Sequence, residues 1–235
     1  MPAPSSSPSR NKLLAALSSG DLGLLQSHLT RVTLKLRQDL EKPNRRIDDI
    51  YFMDAGIASV VAVQPGETRI EVGLIGSEGM SGSVVVLGDE QSPHSTYMQV
   101  AGEGRRIRSD KLRGAMKASE TMRDLLLKYV QAFHVQTTHT AIANARAKLD
   151  ARLARWILMA HDRVRADKLP LTHEFLALML GVRRAGVTEA LHSLARRRLI
   201  EAGRGHIVVL DRKGIEQVAG TLYGVPEAEF QRLIG

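Results

Sequence analysis

The stretch that most constrains the fold is residues 171–210, which reads LTHEFLALMLGVRRAGVTEALHSLARRRLIEAGRGHIVVL. Thr172 suits the N-cap of a first helix, because its hydroxyl can accept a hydrogen bond from a free backbone N–H of the first turn. Gly181 ends that helix, since glycine readily takes the left-handed conformation that a tight corner needs. A second helix is predicted over 183–198, and a turn at 203–205 then joins two apolar runs into a hairpin. The pattern predicts a winged helix-turn-helix.

The second helix of this motif has two faces of different character. Apolar residues at helical spacing form the face that should be buried: Val187, Ala190, Leu191 and Leu194. In a helix that enters the major groove of DNA, residues near the N-terminus meet the base edges. Here those residues are Arg183, Arg184, Ala185 and Thr188. An arginine can bond guanine O6 and N7 together, so we expect this end of the helix to discriminate between bases.

Further basic residues are placed to contact phosphates. The expected phosphate contacts are Thr172, through the backbone around it, Arg196, Arg197 and Arg204. For Arg196 to Arg198 an alternative stays open, a solvated helix end whose charges complement the helix dipole. The small pair Ala185-Gly186 is interpreted as allowing close approach to the groove.

The charge of the chain is concentrated in this region. The formal net charge is +8, of which residues 146–235 carry +6, from 16 Lys and Arg against 10 Asp and Glu. This asymmetry favours a polyanionic partner, double-stranded DNA, although a basic surface is also compatible with solubility alone. There are no cysteines, which excludes disulfides, thiolate-ligated zinc, iron–sulfur clusters and cysteine nucleophiles.

The N-terminal part of the chain has a different pattern. Residues 1–12 contain MPAPSSSPSR, which lacks the apolar segment of a secretion signal and is expected to be a disordered tail. Leucines over 13–29 predict one or two short helices, broken near Gly20. Short runs rich in β-branched and aromatic residues over 32–107 predict an antiparallel barrel or jelly roll. No run approaches the roughly 18 apolar residues of a membrane span, so no membrane contact and a cytoplasmic location are expected.

A long helix follows the predicted barrel. Its apolar and small residues recur at a 4-3-4-3 spacing along one narrow stripe, which is typical of a coiled-coil seam. We therefore expect a homodimer whose interface contains Leu126, Tyr129, Phe133, Gln136 and Thr140. The alternative is that this stripe packs on the chain's own barrel.

Together these elements predict an α+β fold. The N-terminal domain, residues 13–118, is predicted to be an antiparallel β jelly roll, and it resembles sensor domains of the cyclic-nucleotide-binding type. Residues 119–147 form the dimerisation helix, and residues 148–235 form the winged helix-turn-helix domain. The tail, residues 1–12, precedes them.

The order of these motifs resembles that of the Crp/Fnr superfamily of bacterial transcription regulators. The resemblance covers about residues 13–220 and includes YFMDAG, IEVGLIGSEGMSG, DARLARWILMAHDR and THEFLALMLGVRRAGVTEALHSLARRRLI. It implies a homodimer that binds a two-fold symmetric DNA site and contacts RNA polymerase. It also implies a regulator and not an enzyme.

The resemblance carries an expectation for the ligand pocket. Superfamily members that bind cyclic AMP have a Gly-Glu pair for the ribose and, ten residues after the Glu, an Arg followed by Ser or Thr for the phosphate. Gly82-Ser83 and Pro93-His94 stand at these places, so the ribose acceptor and the phosphate cation are missing. A buried phosphate without a partner is costly, so the pocket is expected to be degenerate and not to bind cyclic AMP. His94 occupies the place of the phosphate partner.

No cofactor is expected. A haem would need axial ligands, and the candidates His28, His94, His134 and His139 have no pattern that marks them as such.

The second helix also departs from the superfamily's best-known pattern, which begins Arg-Glu and has another Arg five positions after the first. Arg184 matches, but Ala185 replaces the Glu and Glu189 replaces the later Arg. Arg184 is expected to read a guanine, while the rest of the DNA sequence preference does not carry over.

Two alternative functions compete with this interpretation. A cupin-like barrel that binds a metal or small molecule would need about three His and a carboxylate inside the barrel, and residues 32–107 contain only His94. A dimeric scaffold would bind DNA weakly and without sequence preference.

Overall fold

The computed structural model describes residues 9–63 and 69–235, so residues 1–8 of the predicted tail lie outside the described residues. The rest of that tail is packed against the domain that follows. The buried side-chain amide of Asn11 donates to the carbonyl oxygens of Met53 at 2.8 Å and Gly79 at 2.7 Å. Its Oδ1 accepts from the backbone N–H of Leu14 at 3.1 Å. Because this amide is satisfied by residues distant in sequence, the packed domain begins before residue 13, where the sequence placed its start.

Five strands form the antiparallel sheet of the N-terminal domain: β1 (Thr30–Leu34), β2 (Asp39–Glu41), β3 (Asp49–Val63), β4 (Arg69–Ile75) and β5 (Ser95–Arg108). Their order is β1-β5-β3-β4, and β2 also pairs with β5. The long β3 shifts register against β5 at three places between Met53 and Ala58. Gly56 lies there with φ 90°, where a side chain would collide with the Val100 carbonyl. Such bulges bend a strand. The predicted antiparallel sheet domain is confirmed.

Four helices belong to this domain: α1 (Lys12–Ala16), α2 (Ser19–Gln26), α3 (Ser83–Val86) and α4 (Ser109–Ala118). The predicted break between two N-terminal helices occurs at Ser18, whose hydroxyl caps α2 by accepting from the N–H of Asp21. Leu13, Leu25 and Leu112 share a buried cluster with residues of the sheet. These helices therefore close one face of the sheet.

Two long helices connect the domains. The first, α5 (Glu120–Arg146), is capped by Ser119, and the second, α6 (Leu149–Val164), follows after a short break. At 1.5 Å per residue, α5 is about 40 Å long. Within residues 9–63 and 69–235, no helix is both long and apolar enough to cross a membrane.

The C-terminal domain contains the predicted winged helix-turn-helix. Its elements are β6 (Lys168–Leu169), α7 (His173–Leu180), α8 (Arg184–Arg196), β7 (Ile200–Gly203), β8 (His206–Val209), α9 (Arg212–Ala219), a 3-10 turn (Gly220–Leu222) and α10 (Val225–Ile234). The three strands pair in the order β6-β8-β7. The sequence analysis did not predict α9 and α10.

The two domains share a buried junction. The indole Nε1 of Trp156, on α6, donates to Glu71 Oε1 of β4 at 2.6 Å. The hydroxyl of Ser59, on β3, donates to the other carboxylate oxygen of Glu71 at 2.6 Å. Burial raises the pKa of Glu71 to about 7, although these two hydrogen bonds, Arg163 and Arg155 act in the opposite direction. The junction fixes α6 against the sheet and so positions the helix pair that α6 supports.

Candidate nucleic-acid interface

The corner between α7 and α8 is built as the sequence predicts. The Thr172 hydroxyl accepts from the N–H of Phe175 at 3.1 Å and caps α7. Gly181 follows α7 with φ 62° and ψ 38°, and its N–H bonds back to the carbonyls of Ala177 and Leu178. This left-handed conformation is favourable for glycine because it has no Cβ. The corner therefore sets the direction in which α8 leaves.

The inner face of α8 is buried. Val187 and Leu191 are fully enclosed, as is Leu194, and Ala190 is nearly so. They pack in one cluster with Trp156 and other residues of α6. Since one face of a helix is held in this way, the opposite face must point to solvent.

The N-terminal end of α8 presents basic side chains. Arg183 is the N-cap, Arg184 is the first residue of the helix, and both are exposed, as is Ala185. Gly186 instead turns inward, where a Cβ would lie 3.3 Å from Cδ2 of Leu149. The small size of Gly186 thus serves the packing of α8 against α6, and the interpretation that the Ala185-Gly186 pair allows close approach to a groove stays a prediction.

Thr188 is placed differently from its three predicted partners. It is half-buried, and its hydroxyl donates to the Arg184 carbonyl at 3.1 Å. The same oxygen lies 3.1 Å from Nδ1 of His173, which must act as the donor because Thr188 has only one hydroxyl proton. Burial lowers the pKa of His173, and the positive charge of Arg184 and the neighbouring His192 lower it further. His173 is a residue that the sequence analysis missed, since nothing local marks a contact across 15 positions.

The predicted phosphate contacts lie at three places. Arg196 and Arg197 are exposed at the C-terminal end of α8, about 20 Å from Arg184 by the helix rise. Arg204 is exposed in the hairpin turn between β7 and β8, where Gly203 pairs with His206. The predicted wing is thus present. Thr172 is exposed but lines a cleft of about 750 Å³ between α7 and the sheet domain.

The arginines of α8 and of the hairpin share one electrostatic property. In the described ranges, 9–63 and 69–235, no carboxylate lies within 4 Å of any of their guanidinium groups. They are Arg183, Arg184, Arg196, Arg197, Arg198 and Arg204, all exposed. This surface therefore carries a cluster of positive charges without direct ion pairs in the described chain, which suits a polyanion.

The stripe of α5 that was predicted to pair with a second chain is covered by the chain's own sheet domain. The Tyr129 hydroxyl donates to the Met80 carbonyl at 2.9 Å, and burial raises the pKa of Tyr129. The Gln136 side chain accepts from Leu74 N–H at 2.7 Å and donates to its carbonyl at 3.2 Å.

The remaining residues of the stripe are similarly engaged. Leu126 is buried, and Phe133 lies against Gly73 of β4. The Thr140 hydroxyl donates to the Gln136 carbonyl at 3.0 Å. The predicted interface is corrected for Leu126, Tyr129 and Gln136, which lie on a face of α5 that the sheet domain buries. Phe133 and Thr140 are half-buried, and the homodimer itself stays a prediction.

The predicted ligand pocket is a cavity of about 320 Å³ between the sheet and α5. Gly82, Ser83 and His94 line it, whereas Pro93 is exposed and does not. Glu41, which the sequence analysis missed, also lines it, and its Oε1 accepts from the Gly82 N–H at 2.8 Å. Burial raises the pKa of Glu41, partly offset by that bond and one from Thr96. The cavity thus holds a buried acid beside the place where a phosphate would need a cation.

The helix-turn-helix region matches a known family. Residues 151–218 match the model of the Crp-like helix-turn-helix domain. A search of curated proteins gives no significant match.

Solved structures with the same fold include several regulators. The c-di-GMP responsive global regulator from Xanthomonas campestris is 17% identical, with a TM-score of 0.67 over 82% of this chain and 99% of that one. FixK2 from Bradyrhizobium japonicum is 13% identical, with a TM-score of 0.68 over 82% and 98%. A Crp/Fnr family transcriptional regulator from Thermus thermophilus is 20% identical, with a TM-score of 0.63 over 81% and 98%.

These matches agree with the order of elements described above. The resemblance to the Crp/Fnr superfamily is thereby confirmed: residues 151–218 match the Crp-like helix-turn-helix domain, and the chain has the fold of solved transcription regulators of this superfamily.

Proposed function

We propose that this chain is a sequence-specific transcription regulator that binds a two-fold symmetric DNA site as a homodimer. The observation that carries the proposal is the set of six exposed arginines on α8 and the hairpin that have no carboxylate within 4 Å among the described residues. Arg184, at the N-terminal end of a helix whose other face is buried, has the position from which base edges are read. From the superfamily resemblance, we also propose that the chain contacts RNA polymerase.

Selection from a random duplex library tests sequence-specific binding. The full chain should enrich a sequence with two-fold symmetry, and fluorescence anisotropy should show that it binds this sequence more tightly than a scrambled duplex. A library that stays random after repeated rounds would refute specific reading and leave the scaffold alternative.

The homodimer is proposed to form through another face of α5. Six of the exposed residues of this helix form a stripe with 4-3-4-3-4 spacing: Leu127, Gln131, His134, Thr138, Ala141 and Ala145. Ile142 lies beside this stripe, and Leu127 and Ile142 are 40% and 45% exposed although both are large and apolar. An exposed stripe of this spacing suits pairing with a second helix, and its small residues allow close approach.

Analytical ultracentrifugation tests this interface. The wild-type chain should sediment at about twice 25.8 kDa, and Leu127→Asp with Ile142→Asp should give a folded monomer. Leu126→Val, which changes a buried neighbour, serves as the matched control and should stay dimeric. A monomeric wild-type chain would remove this part of the proposal.

Cyclic AMP is proposed not to be a ligand of the cavity beside α5. The carboxyl of Glu41 lines that cavity together with Ser83 and His94, and the lining contains no arginine or lysine. A cyclic phosphate there would be desolvated without a cation to pair with it. Isothermal titration should give no heat of binding at micromolar concentrations, and micromolar or tighter binding would contradict the proposal.

A further inference from the structure

A second cavity, of about 380 Å³, lies where the two domains meet. Its walls come from the end of β4 and the following turn, from α5, from the end of α6 and from α10. Tyr129 and Phe133 line both this cavity and the one beside Glu41, so their rings separate the two. Its volume is within the range of small-molecule sites, about 300–1,000 Å³.

The acids that line this cavity already have partners in the chain. Glu78 pairs with Arg163 at 2.7 Å. Asp162 accepts from the Tyr223 hydroxyl at 2.6 Å and pairs with Arg212 at 2.9 Å. Glu227 caps α10 by accepting from the N–H of Gly224 at 2.9 Å.

The cations of the lining are less fully matched. Among the residues that the structure describes, neither Lys12 nor Arg165 has a carboxylate within 4 Å. Lys12 Nζ lies 5.5 Å from the centre of the Phe230 ring, and Arg165 Nη2 lies 3.4 Å from Ser77 Oγ. Arg163 has a side chain only 8% exposed, and its Nε is a buried donor without a hydrogen-bond partner in the described chain. The lining has three cations and three acids, so its positive charge is local: Asp162 pairs with Arg212 outside the lining, and Lys12 and Arg165 are left without a carboxylate of the described chain within 4 Å.

The remaining walls are apolar. Ala132 and Pro226 are buried, and the rings of Phe133 and Phe230 face the same space. An anion alone would leave these walls without contact, whereas an apolar molecule alone would leave the cations unmatched. Ligand pockets commonly combine an apolar lining with a few polar groups that set orientation.

We infer that this cavity binds a small organic anion, a carboxylate or phosphate ester on a ring-sized apolar body. The anionic group would face Lys12 and Arg165, with the apolar body between Phe133 and Phe230. Such a ligand would touch the sheet domain, α5, α6 and α10 together. Its binding should therefore be coupled to the position of the DNA-binding domain; this coupling, unlike binding itself, rests on the proposed function.

Isothermal titration of the full chain with benzoate and phenyl phosphate tests the site. At least one should bind saturably, and the tighter of the two distinguishes a carboxylate from a phosphate ester. Benzamide, which has the ring without the charge, and inorganic phosphate, which has the charge without the ring, should bind about tenfold more weakly or not at all. No saturable binding of either aromatic anion up to about 10 mM would overturn the inference.

Variants assign the binding to this cavity. Lys12→Gln and Arg165→Gln should each weaken binding of the preferred anion about three- to tenfold. Lys168→Gln removes an exposed lysine close to Arg165 in sequence but outside the lining, and it should bind as the wild type does. Circular dichroism checks that each variant is folded. Equal affinity in wild type and the Lys12→Gln, Arg165→Gln double variant would place the anion elsewhere and overturn the inference.

Coupling is read separately, by DNA anisotropy with the selected duplex in the presence and absence of the bound anion. A change in DNA affinity supports coupling, and no change refutes it while leaving the titration result intact. If the chain binds no DNA sequence specifically, the proposed function fails, but the titration still decides whether the cavity is a binding site.

Discussion

The sheet domain and the α8 region differ in what surrounds their charged side chains. On the sheet domain, Arg31 pairs with Glu103 at 3.0 Å and Arg113 pairs with Glu90 at 2.6 Å. On α8 and the hairpin, six exposed arginines have no such partner within the described ranges. A charge that is matched inside the chain contributes to the fold, whereas a group of unmatched like charges repels itself and is stabilised by an external anion. In the described ranges, the exposed Arg37, Arg45 and Arg69 of the sheet domain also have no carboxylate within 4 Å, so the α8 region is distinguished by the clustering of its unmatched arginines, which suits an external anion.

The buried carboxyl of Glu71, at the junction of the sheet domain with α6, predicts a large effect of pH on stability. The pKa of Glu71 is raised from 4.5 to about 7, so between these values the folded protein retains a proton that the unfolded chain releases. The contribution of Glu71 to the free energy of unfolding should therefore fall by roughly 3 kcal/mol as pH rises through this window. Glu71→Gln should lose that dependence, as urea unfolding at about pH 5 and about pH 8 would measure. An unchanged pH slope in the variant would contradict this account of the junction.

The exposed side predicts an effect on recognition without one on the fold. Arg184→Ala should reduce preference for the selected duplex over a scrambled one by about 1–3 kcal/mol, because the contact with a base is lost. Stability should not change, because the Arg184 side chain has no carboxylate partner in the described chain. Arg204→Ala should weaken binding to both duplexes alike, since a phosphate contact carries no sequence information. Anisotropy titrations measure both. An equal drop in preference in the two variants would break the distinction between base and phosphate contacts.

Thr172 differs from the unmatched arginines, because its hydroxyl accepts a hydrogen bond from the N–H of Phe175 within the chain. Thr172→Ala should lower the free energy of unfolding by about 1 kcal/mol, because the cap on α7 is removed. Thr172→Ser keeps a capping hydroxyl and should remain close to wild type. Thermal unfolding compares the two, and equal stability of the Ala and Ser variants would show that the cap contributes nothing.

The smallest effect is expected at an exposed ion pair of the sheet domain. Arg31→Ala removes the pair with Glu103 and should change stability by no more than about 1 kcal/mol. It should leave DNA affinity unchanged, because Arg31 lies on β1 and not in the helix-turn-helix domain. A weakening of DNA binding as large as that of Arg184→Ala would mean that general positive charge, and not the α8 surface, attracts DNA.

The sequence is sufficient where the signals are local. The cap at Thr172, the corner at Gly181 and the inner face that contains Val187 depend on neighbours within a few residues, and all were predicted. Signals of the same kind, Pro226 near the start of α10 and Gly235 at its end, were present but not used.

Contacts between distant residues could not be predicted in this way. The prediction that the stripe on α5 forms a single face was correct. Periodicity does not show, however, whether that face packs on the same chain or on a second one. The contacts that decide it, Tyr129 with Met80 and Gln136 with Leu74, span 49 and 62 positions. Glu41 and Glu71 were missed for the same reason, because a buried carboxyl in a strand has no local sequence signature.

The central claim, that the unmatched arginines are matched by DNA phosphates and bases, is tested most directly by the salt dependence of binding to the selected duplex. The wild-type chain should show a steep linear fall of log K with log salt. Arg197→Ala and Arg204→Ala should each make this slope shallower by about 0.9, because each variant leaves one phosphate without its cation. Arg31→Ala should leave the slope unchanged. If Arg197→Ala kept the wild-type slope, Arg197 would not contact a phosphate, and the C-terminal end of α8 would be a solvated helix end. A shallow wild-type slope that none of these variants alters would contradict the claim itself.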